Sequence, residues 1–255
     1  MFDIDQIPVL NDNYVYLIHD TESGNTGVVD PALAEPVLDR LAERGWRLDY
    51  ILNTHHHGDH VGGNLQLKRK TGCQIVGSKF DHARIPGIDI RCDEGDRFRL
   101  GDAEARIIAV SGHTVGHIAY WFYEADALFC GDTLFAMGCG RLFEGSPSIM
   151  WESLSKLMKL PGKTKVYCAH EYTQANGRFA LSVEPENPNL QLRMEAVRGL
   201  RAKNIPTVPS TLAQEIATNP FLRVDSPEIR NSIAIESHDP VEVFAEIRRR
   251  KDHFR

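Results

Sequence analysis

The chain has 255 residues, 42% of them hydrophobic and 25% charged, a composition that excludes disordered, collagen-like and low-complexity classes and allows one large domain or one with a smaller companion. Its 35 acidic against 29 basic residues give a formal charge of −6, which argues against a surface built to neutralise nucleic-acid phosphates. The N-terminal MFDIDQIPVL lacks the basic start of a secretory signal, no apolar run approaches the ~20 residues that span a bilayer, and neither end carries a lipidation motif, so a cytoplasmic protein without membrane attachment is expected. The cysteines, Cys73, Cys92, Cys130, Cys139 and Cys168, are odd in number and form no CxxC pair. They read as buried reduced thiols rather than a disulfide framework or a thiolate zinc site.

In chain order, Tyr14–Ile18 and Gly27–Val29 flank the turn-rich Thr21–Asn25 and read as a hairpin. Pro36 at a helix start, apolar Val37, Leu38 and Leu41, and Gly45 as a stop outline a short helix leading into the strand Tyr50–Leu52. Further strands are predicted at Gln74–Gly77, Ala105–Val110, Ile118–Tyr123, Ala127–Cys130 and Lys165–Cys168, with a helix over Ile149–Met158. After about Tyr172 the strand-like runs cease and Pro185, Pro188, Pro206 and Pro209 separate stretches of helical spacing. The expectation is a two-layer or four-layer α/β domain over 1–170 and a smaller helical domain over 171–255.

The informative segment is Thr54-His55-His56-His57-Gly58-Asp59-His60, an HxHxDH pattern directly after a predicted strand. Histidines two apart can converge on one metal where the chain turns, and the following Asp and His can face a second ion, giving the clamp of ions ~3.5–4 Å apart used by many hydrolases. One loop cannot complete two coordination spheres. His113, Asp132 and His170, each following an apolar run, are the candidates to complete them. His56, between the ligands, is expected to point away. His19, His82, His238 and His253 lack such a context.

The pattern of His55, His57, Asp59, His60, His113, Asp132 and His170 resembles the metallo-β-lactamase superfamily, and within it the glyoxalase II (hydroxyacylglutathione hydrolase) family. The resemblance continues through Gly131–Phe135, Gly138–Arg141, Ala169–Thr173, Pro206–Leu212, Asn219–Phe221 and the closing Arg249–Asp252. It implies an αβ/βα four-layer sandwich followed by a helical domain that completes the substrate site. It also implies one metal on His55, His57 and His113, a second on Asp59, His60 and His170, and Asp132 bridging, with Asp59 and Asp132 as catalytic carboxylates. The implied cofactor is two divalent ions, zinc first, with iron or manganese accommodated by the same donors. Asp30 is implied to orient a ligand or bound water, although a turn residue before Pro31 is an equally direct reading; His117 reads as structural or as a ligand's support.

The implied reaction is hydrolysis of S-(R)-lactoylglutathione and other 2-hydroxyacylglutathiones to the hydroxy acid and glutathione, the second step of methylglyoxal detoxification. A water whose pKa falls from 15.7 towards ~7 between the metals would be the nucleophile, and a thiolate leaving group, with pKa ~8.5, needs no dedicated proton donor. A single-iron, glutathione-linked sulfur dioxygenase on the same fold is the alternative. An anionic glutathione thioester held by a net-negative protein calls for a local cationic pocket. Asp239-Pro240 reads as a helix start, after which Val241, Phe244 and Ile247 form a stripe with Arg248 and Lys251 beside it, and Arg249 and Arg250 opposite. The heads of Arg248 and Lys251 are therefore expected to be free for glutathione carboxylates. The resemblance adds Arg141, Tyr172, Asn176 and Phe143, with lysine and tyrosine in well-known members where this chain has Arg141 and Phe143. The small-molecule thioester is the only partner expected, without nucleic acid or membrane. A monomer is the expected state, though no residue pattern sets it.

Overall fold

The computed structural model describes residues 2–254, and the chain divides into two compact units, one of residues 1–109 and 115–131 and the other of 110–114 and 132–255. In the first unit, β1 (Phe2–Val9), β2 (Asn13–Asp20), β3 (Thr26–Val29), β4 (Tyr50–Leu52), β5 (Gln74–Ser78) and β6 (Ile90–Cys92) form a six-stranded sheet in that order. β1, β2 and β3 pair antiparallel, and β3 through β6 pair parallel. The parallel connections carry α1 (Glu35–Arg44), α2 (Gly58–Val61) and α3 (Asn64–Thr71). A second, antiparallel run follows: β7 (Arg97–Leu100), β8 (Ala103–Ala109), β9 (Ile118–Phe122) and β10 (Ala127–Gly131).

Strand alternation explains the layering. On β2, Val15 and Leu17 pack with Val28, Ile51 and Ile75 and with Val37 and Leu41 of α1 and Leu67 of α3. Tyr16 turns to the opposite face, where its ring lies 5.5 Å from Phe129 of β10; Tyr50 likewise meets Phe98 of β7 at 5.1 Å. The first unit is thus helices, sheet and sheet, with β2 and β3 of the first sheet buried on both sides and the edge strands β1 and β6 only in part. Gly45 ends α1 at φ 67°, as its place in the sequence predicts.

β1 is not among the strands expected from the sequence, where the first is Tyr14–Ile18. It alternates, but the alternation is disguised by Asp5, which is nearly buried because Arg40 and Arg44 of α1 clasp its carboxylate and hold its pKa below the usual range against the opposing effect of burial.

The second unit contains a small hairpin of β11 (Leu134–Phe135) and β12 (Gly138–Cys139), then α4 (Pro147–Leu157), β13 (Lys165–Cys168), α5 (Thr173–Val183), α6 (Pro188–Arg201), β14 (Ser210–Thr211), α7 (Leu212–Thr218), α8 (Pro227–Ser232) and α9 (Pro240–His253). β14 pairs with β13 through Lys165↔Thr211 and Val166↔Ser210, so strand pairing does not cease at Tyr172. A two-residue ladder is too short for pattern or propensity to reveal. Met137, Ala180, Leu190, Met194 and Val197 form one apolar cluster here, and the Phe221 ring lies between those of Phe179 and Phe244. α9 starts as expected, with Asp239 accepting from the Val241 N–H. Its buried stripe is Val243, Phe244, Ile247 and Arg248, whereas Val241 is only half-buried; packing of Phe244 against Phe221 and Trp151 sets that phase.

Among the described residues no helix is long and apolar enough to cross a membrane.

Candidate metal centre

The chemistry-bearing residues sit where strands end. In the first unit the chain leaves β4 through Asn53 and Thr54, passes His55, His56 and His57, and enters α2, where the His60 N–H donates back to the His57 carbonyl. Gly62 and Gly63 let this turn lie directly on the backbone after β3: a Cβ on Gly62 would stand 2.5 Å from the Ala32 oxygen and one on Gly63 2.7 Å from that of Pro31. Asp30, held at φ 49°, a conformation unfavourable for a residue with a Cβ, aims its carboxylate into the same turn.

Hydrogen-bond partners assign the tautomers. Asp30 accepts from the Thr54 N–H at 2.8 Å and the Thr54 hydroxyl at 2.6 Å, and faces His60 Nδ1 at 3.0 Å. His60 therefore carries its proton on Nδ1, and its Nε2 lone pair is directed towards Asp59 Oδ2, 3.6 Å away. The Thr54 hydroxyl, having given its proton to Asp30, accepts from His55 Nδ1 at 3.1 Å. His55 Nε2 then presents a lone pair to His57 Nδ1 at 3.0 Å. Asn13 donates to Asp59 Oδ2 at 3.0 Å, and His117 stacks on His55 at 4.6 Å and 16°. Ligand-capable atoms of Asp30, His55 and His60 all lie within 4.8 Å of one another.

The second unit gathers the rest of the set. His113 Nδ1 donates to the Arg141 carbonyl at 2.9 Å, which leaves Nε2 as the lone-pair nitrogen, 3.4 Å from Asp132 Oδ2. The other carboxylate oxygen, Oδ1, lies 3.3 Å from His170 Nε2. Asp132 thus offers one oxygen to each of two imidazoles. His170 is fixed by a parallel stack on Tyr172, at 4.7 Å and 2°, with Phe135 at its edge. Gly140 makes the cradle: a Cβ there would overlap the Asp132 carbonyl oxygen and stand 3.1 Å from His113 Nδ1.

These residues fit divalent cations. Nitrogen lone pairs turned towards carboxylate oxygens or towards each other repel at such distances, and a cation between them turns the repulsion into coordination. Imidazole and carboxylate donors without thiolate suit zinc, iron and manganese alike. Each unit contributes part of the set: His55, His57, Asp59 and His60 come together in the first, His113, Asp132 and His170 in the second.

The expected substrate residues all lie in the second unit. Arg248 is 95% buried, because only 5% of its surface is exposed, and its guanidinium donates to the Cys139 carbonyl at 2.9 Å, stands 5.0 Å over the Phe221 ring and pairs with Asp252. Its head is therefore engaged by the protein and not free, a correction to the sequence reading; that reading could not see that Cys139 and Phe221 would meet it. Lys251 is half-buried between the rings of Phe179 and Phe254 and donates to the Ala175 carbonyl at 3.3 Å. Burial, followed by the nearby guanidiniums of Arg248, Arg178 and Arg141, pulls its ammonium down to about 8. Arg249 and Arg250 face away and clasp Glu246. Arg141 and Phe143 are exposed, the Phe143 ring 5.1 Å from His113, whereas Asn176 is buried and donates to the Ala136 carbonyl. His56 turns aside to Asp81. Thr54 and Asn13, which hold His55 and Asp59, are absent from the sequence reading; Thr54 could have been suspected as the hydroxyl beside the first histidine, but nothing marks Asn13.

Residues 10–170 match the family model described as the metallo-beta-lactamase superfamily, and residues 171–254 that described as the hydroxyacylglutathione hydrolase C-terminus. A protein of Methylococcus capsulatus named hydroxyacylglutathione hydrolase is 62% identical over 255 residues, covering 100% of both chains. One of the same name from Rhodospirillum rubrum is 55% identical over 99% of this chain and 98% of its own. Among solved structures, ETHE1 from Myxococcus xanthus superposes with a TM-score of 0.69 at 24% identity, over 99% of this chain and 100% of that one, a likeness of fold. The αβ/βα sandwich with an added helical region is thus the metallo-β-lactamase fold, and the donors gathered at its strand ends are those of a metal-dependent enzyme. By its match along the whole length, the chain belongs to the hydroxyacylglutathione hydrolase family of the metallo-β-lactamase superfamily, a family of thioester hydrolases.

Proposed function

We infer that the chain hydrolyses S-(R)-lactoylglutathione and related 2-hydroxyacylglutathiones to the hydroxy acid and glutathione, using two divalent ions, zinc in the native enzyme. His55, His57 and His113 are proposed to hold one ion, Asp59, His60 and His170 the other, and Asp132 to bridge them. The observation that carries this reading is Asp132, whose two oxygens address two different imidazoles, His113 and His170. A carboxylate so placed serves two neighbouring ions, as a dinuclear hydrolase requires. When bound, the ions supply Lewis acidity that makes water nucleophilic at neutral pH and polarises the thioester carbonyl.

The chain's own residues do the rest. Asp30 and Thr54 fix the tautomers of His60 and His55, so that nitrogen lone pairs and not N–H groups face the ions. The Arg141 carbonyl does the same for His113. Asp59 and Asp132 balance ion charge and are the proposed catalytic carboxylates. Arg141, Phe143, Tyr172 and Lys251 are proposed to contact the glutathione portion, with Lys251 and Arg141 supplying positive charge; Arg248 acts through burial beside Lys251. We place the functional boundary near residue 170 and the protein in the cytoplasm as a monomer.

The test is thioester hydrolysis, followed by the loss of thioester absorbance, alongside elemental analysis. Chelation is expected to abolish turnover and zinc to restore it, with close to two ions per chain. Full activity in metal-free protein, or oxygen uptake on glutathione persulfide with one iron bound, overturns the reading.

A further inference from the structure

A carboxylate that the chemistry above does not use lies behind the histidine turn. Asp81 follows β5 and is fully buried. Its Oδ1 accepts from the Arg84 guanidinium, Nε at 3.1 Å, and its Oδ2 accepts from His56 Nδ1 at 3.1 Å. The Arg84 and Ile85 N–H groups close a turn onto the Asp81 carbonyl, so the carboxylate stands on a stiff support. Gly116 presses on it from another segment: a Cβ at 116 would run into the carboxyl group. The next residue is His117, whose ring stacks on His55.

Asp81 therefore touches both pieces of chain that confine the His55 ring. On one side is His56, the residue between the two proposed ligands; on the other is the backbone that carries the stacking His117. The His55 and His57 rings stand together while the His56 ring between them in sequence is drawn aside to Asp81. Holding His56 outward consequently holds His55 and His57 inward, the geometry of their Nε2 and Nδ1 atoms 3.0 Å apart. Arg84 and His56 engage both carboxyl oxygens of Asp81, so the group is held where the turn needs it.

We propose that Asp81, seated by Arg84, is a positioning residue for the metal centre: by anchoring His56 and backing Gly116 it pre-aims the His55 and His57 imidazoles, and so sets metal affinity without touching metal or substrate. The inference rests on the reading that His55 and His57 are ligands. Groups that orient ligands in this way are worth about 10–100-fold in metal affinity.

The experiment is zinc competition between the chelated, refilled full-length protein and a chromophoric chelator, for wild type, Asp81→Asn, His56→Leu, Arg84→Lys and His57→Ala, with the melting temperature of each metal-free protein and KM for the thioester recorded in parallel. Asp81→Asn and His56→Leu are expected to weaken zinc binding about 10–100-fold with KM within twofold of wild type, and Arg84→Lys, which retains charge but not the forked contact, to lie between. Should Asp81→Asn fail to fold, His56→Leu breaks the same link from a partly exposed side chain. Zinc affinity within twofold of wild type in the folded variants overturns the proposal, even where the melting temperature falls, since Asp81 is then only a structural ion pair. Unchanged zinc content in His57→Ala overturns the ligand assignment itself.

Discussion

The Lys251 ammonium titrates in a range where ordinary lysines do not, and under the role proposed for it the binding of an anionic substrate is expected to titrate with it. With its ammonium pulled down to about 8, about nine-tenths of the side chain is charged at pH 7 and about one-tenth at pH 9. If charge at 251 is what holds a carboxylate of the substrate, KM rises up to about tenfold across that window, equivalent to ~1.4 kcal/mol of binding, while kcat does not follow it. The sign is set by which form binds: affinity is full below pH 8 and lost above it. The charged groups that face Lys251 are Arg141, Arg178, Arg248 and Asp252. Substrate titration and alkaline thioester hydrolysis contribute to the slope, and Lys251→Arg separates them, because the guanidinium remains charged beyond pH 12. Initial rates for S-lactoylglutathione at each half unit from pH 6.5 to 9.5, corrected for the enzyme-free rate, yield the two KM profiles. Their ratio is expected to climb with wild type rising away from the arginine variant. Parallel profiles refute the argument. The same depressed pKa sets a stability trend: the folded chain pays for the buried ammonium below pH 8, and that cost lifts between about pH 8 and the unfolded value near 10.5.

Gly140→Ala forces a Cβ onto the Asp132 carbonyl and towards His113, and is expected to lose more than tenfold in kcat/KM together with bound zinc, measured by assay and elemental analysis. Arg248→Ala removes a buried guanidinium and leaves the Cys139 carbonyl short of a donor; about 2–3 kcal/mol of stability is expected to go, seen by urea unfolding, in addition to a rise in KM. Glu215→Ala breaks a buried pair with Arg193, takes the acceptor from the Met137 N–H and removes one of the three acceptors of the Asn219 amide. The expected loss is about 3–5 kcal/mol with little change in KM of whatever protein remains folded. Chelation should lower the melting temperature reversibly, because each ion held at about a hundredfold excess over its Kd adds about 2.7 kcal/mol to the folded state.

What could be read in advance, and what could not, follows from how tightly chemistry restricts residue choice. Only a few side chains ligate a divalent ion, so His55, His57, Asp59 and His60 stand out within six positions, and His113, Asp132 and His170 stand out as polar residues after apolar strands. The cap of α9 was legible for a similar reason: Asp followed by Pro suits few other roles. The supports of these residues obey no such restriction. Asn13, Thr54 and Asp81 act through hydrogen bonds to residues up to 46 positions away, and any donor or acceptor brought there by the fold would serve; Asp30 was indicated only through the family resemblance. β1 was hidden because a tertiary ion pair lets Asp5 occupy an inward position, and because Pro8 is tolerated in a strand at the sheet's edge. The buried stripe of α9 keeps Phe244 and Ile247 but takes Val243 in place of Val241, since two aromatic rings decide it rather than the helix alone. Arg248 carries the same point into function: its helical face was foreseeable, but the fate of its charge depended on a carbonyl 109 residues earlier. Cations chosen from helical phase alone are therefore to be sorted by what their heads already touch: the Arg248 guanidinium is taken up by the Cys139 carbonyl, the Phe221 ring and Asp252, whereas Lys251 meets one carbonyl at 3.3 Å and two rings, so the proposed contact with the substrate is assigned to Lys251.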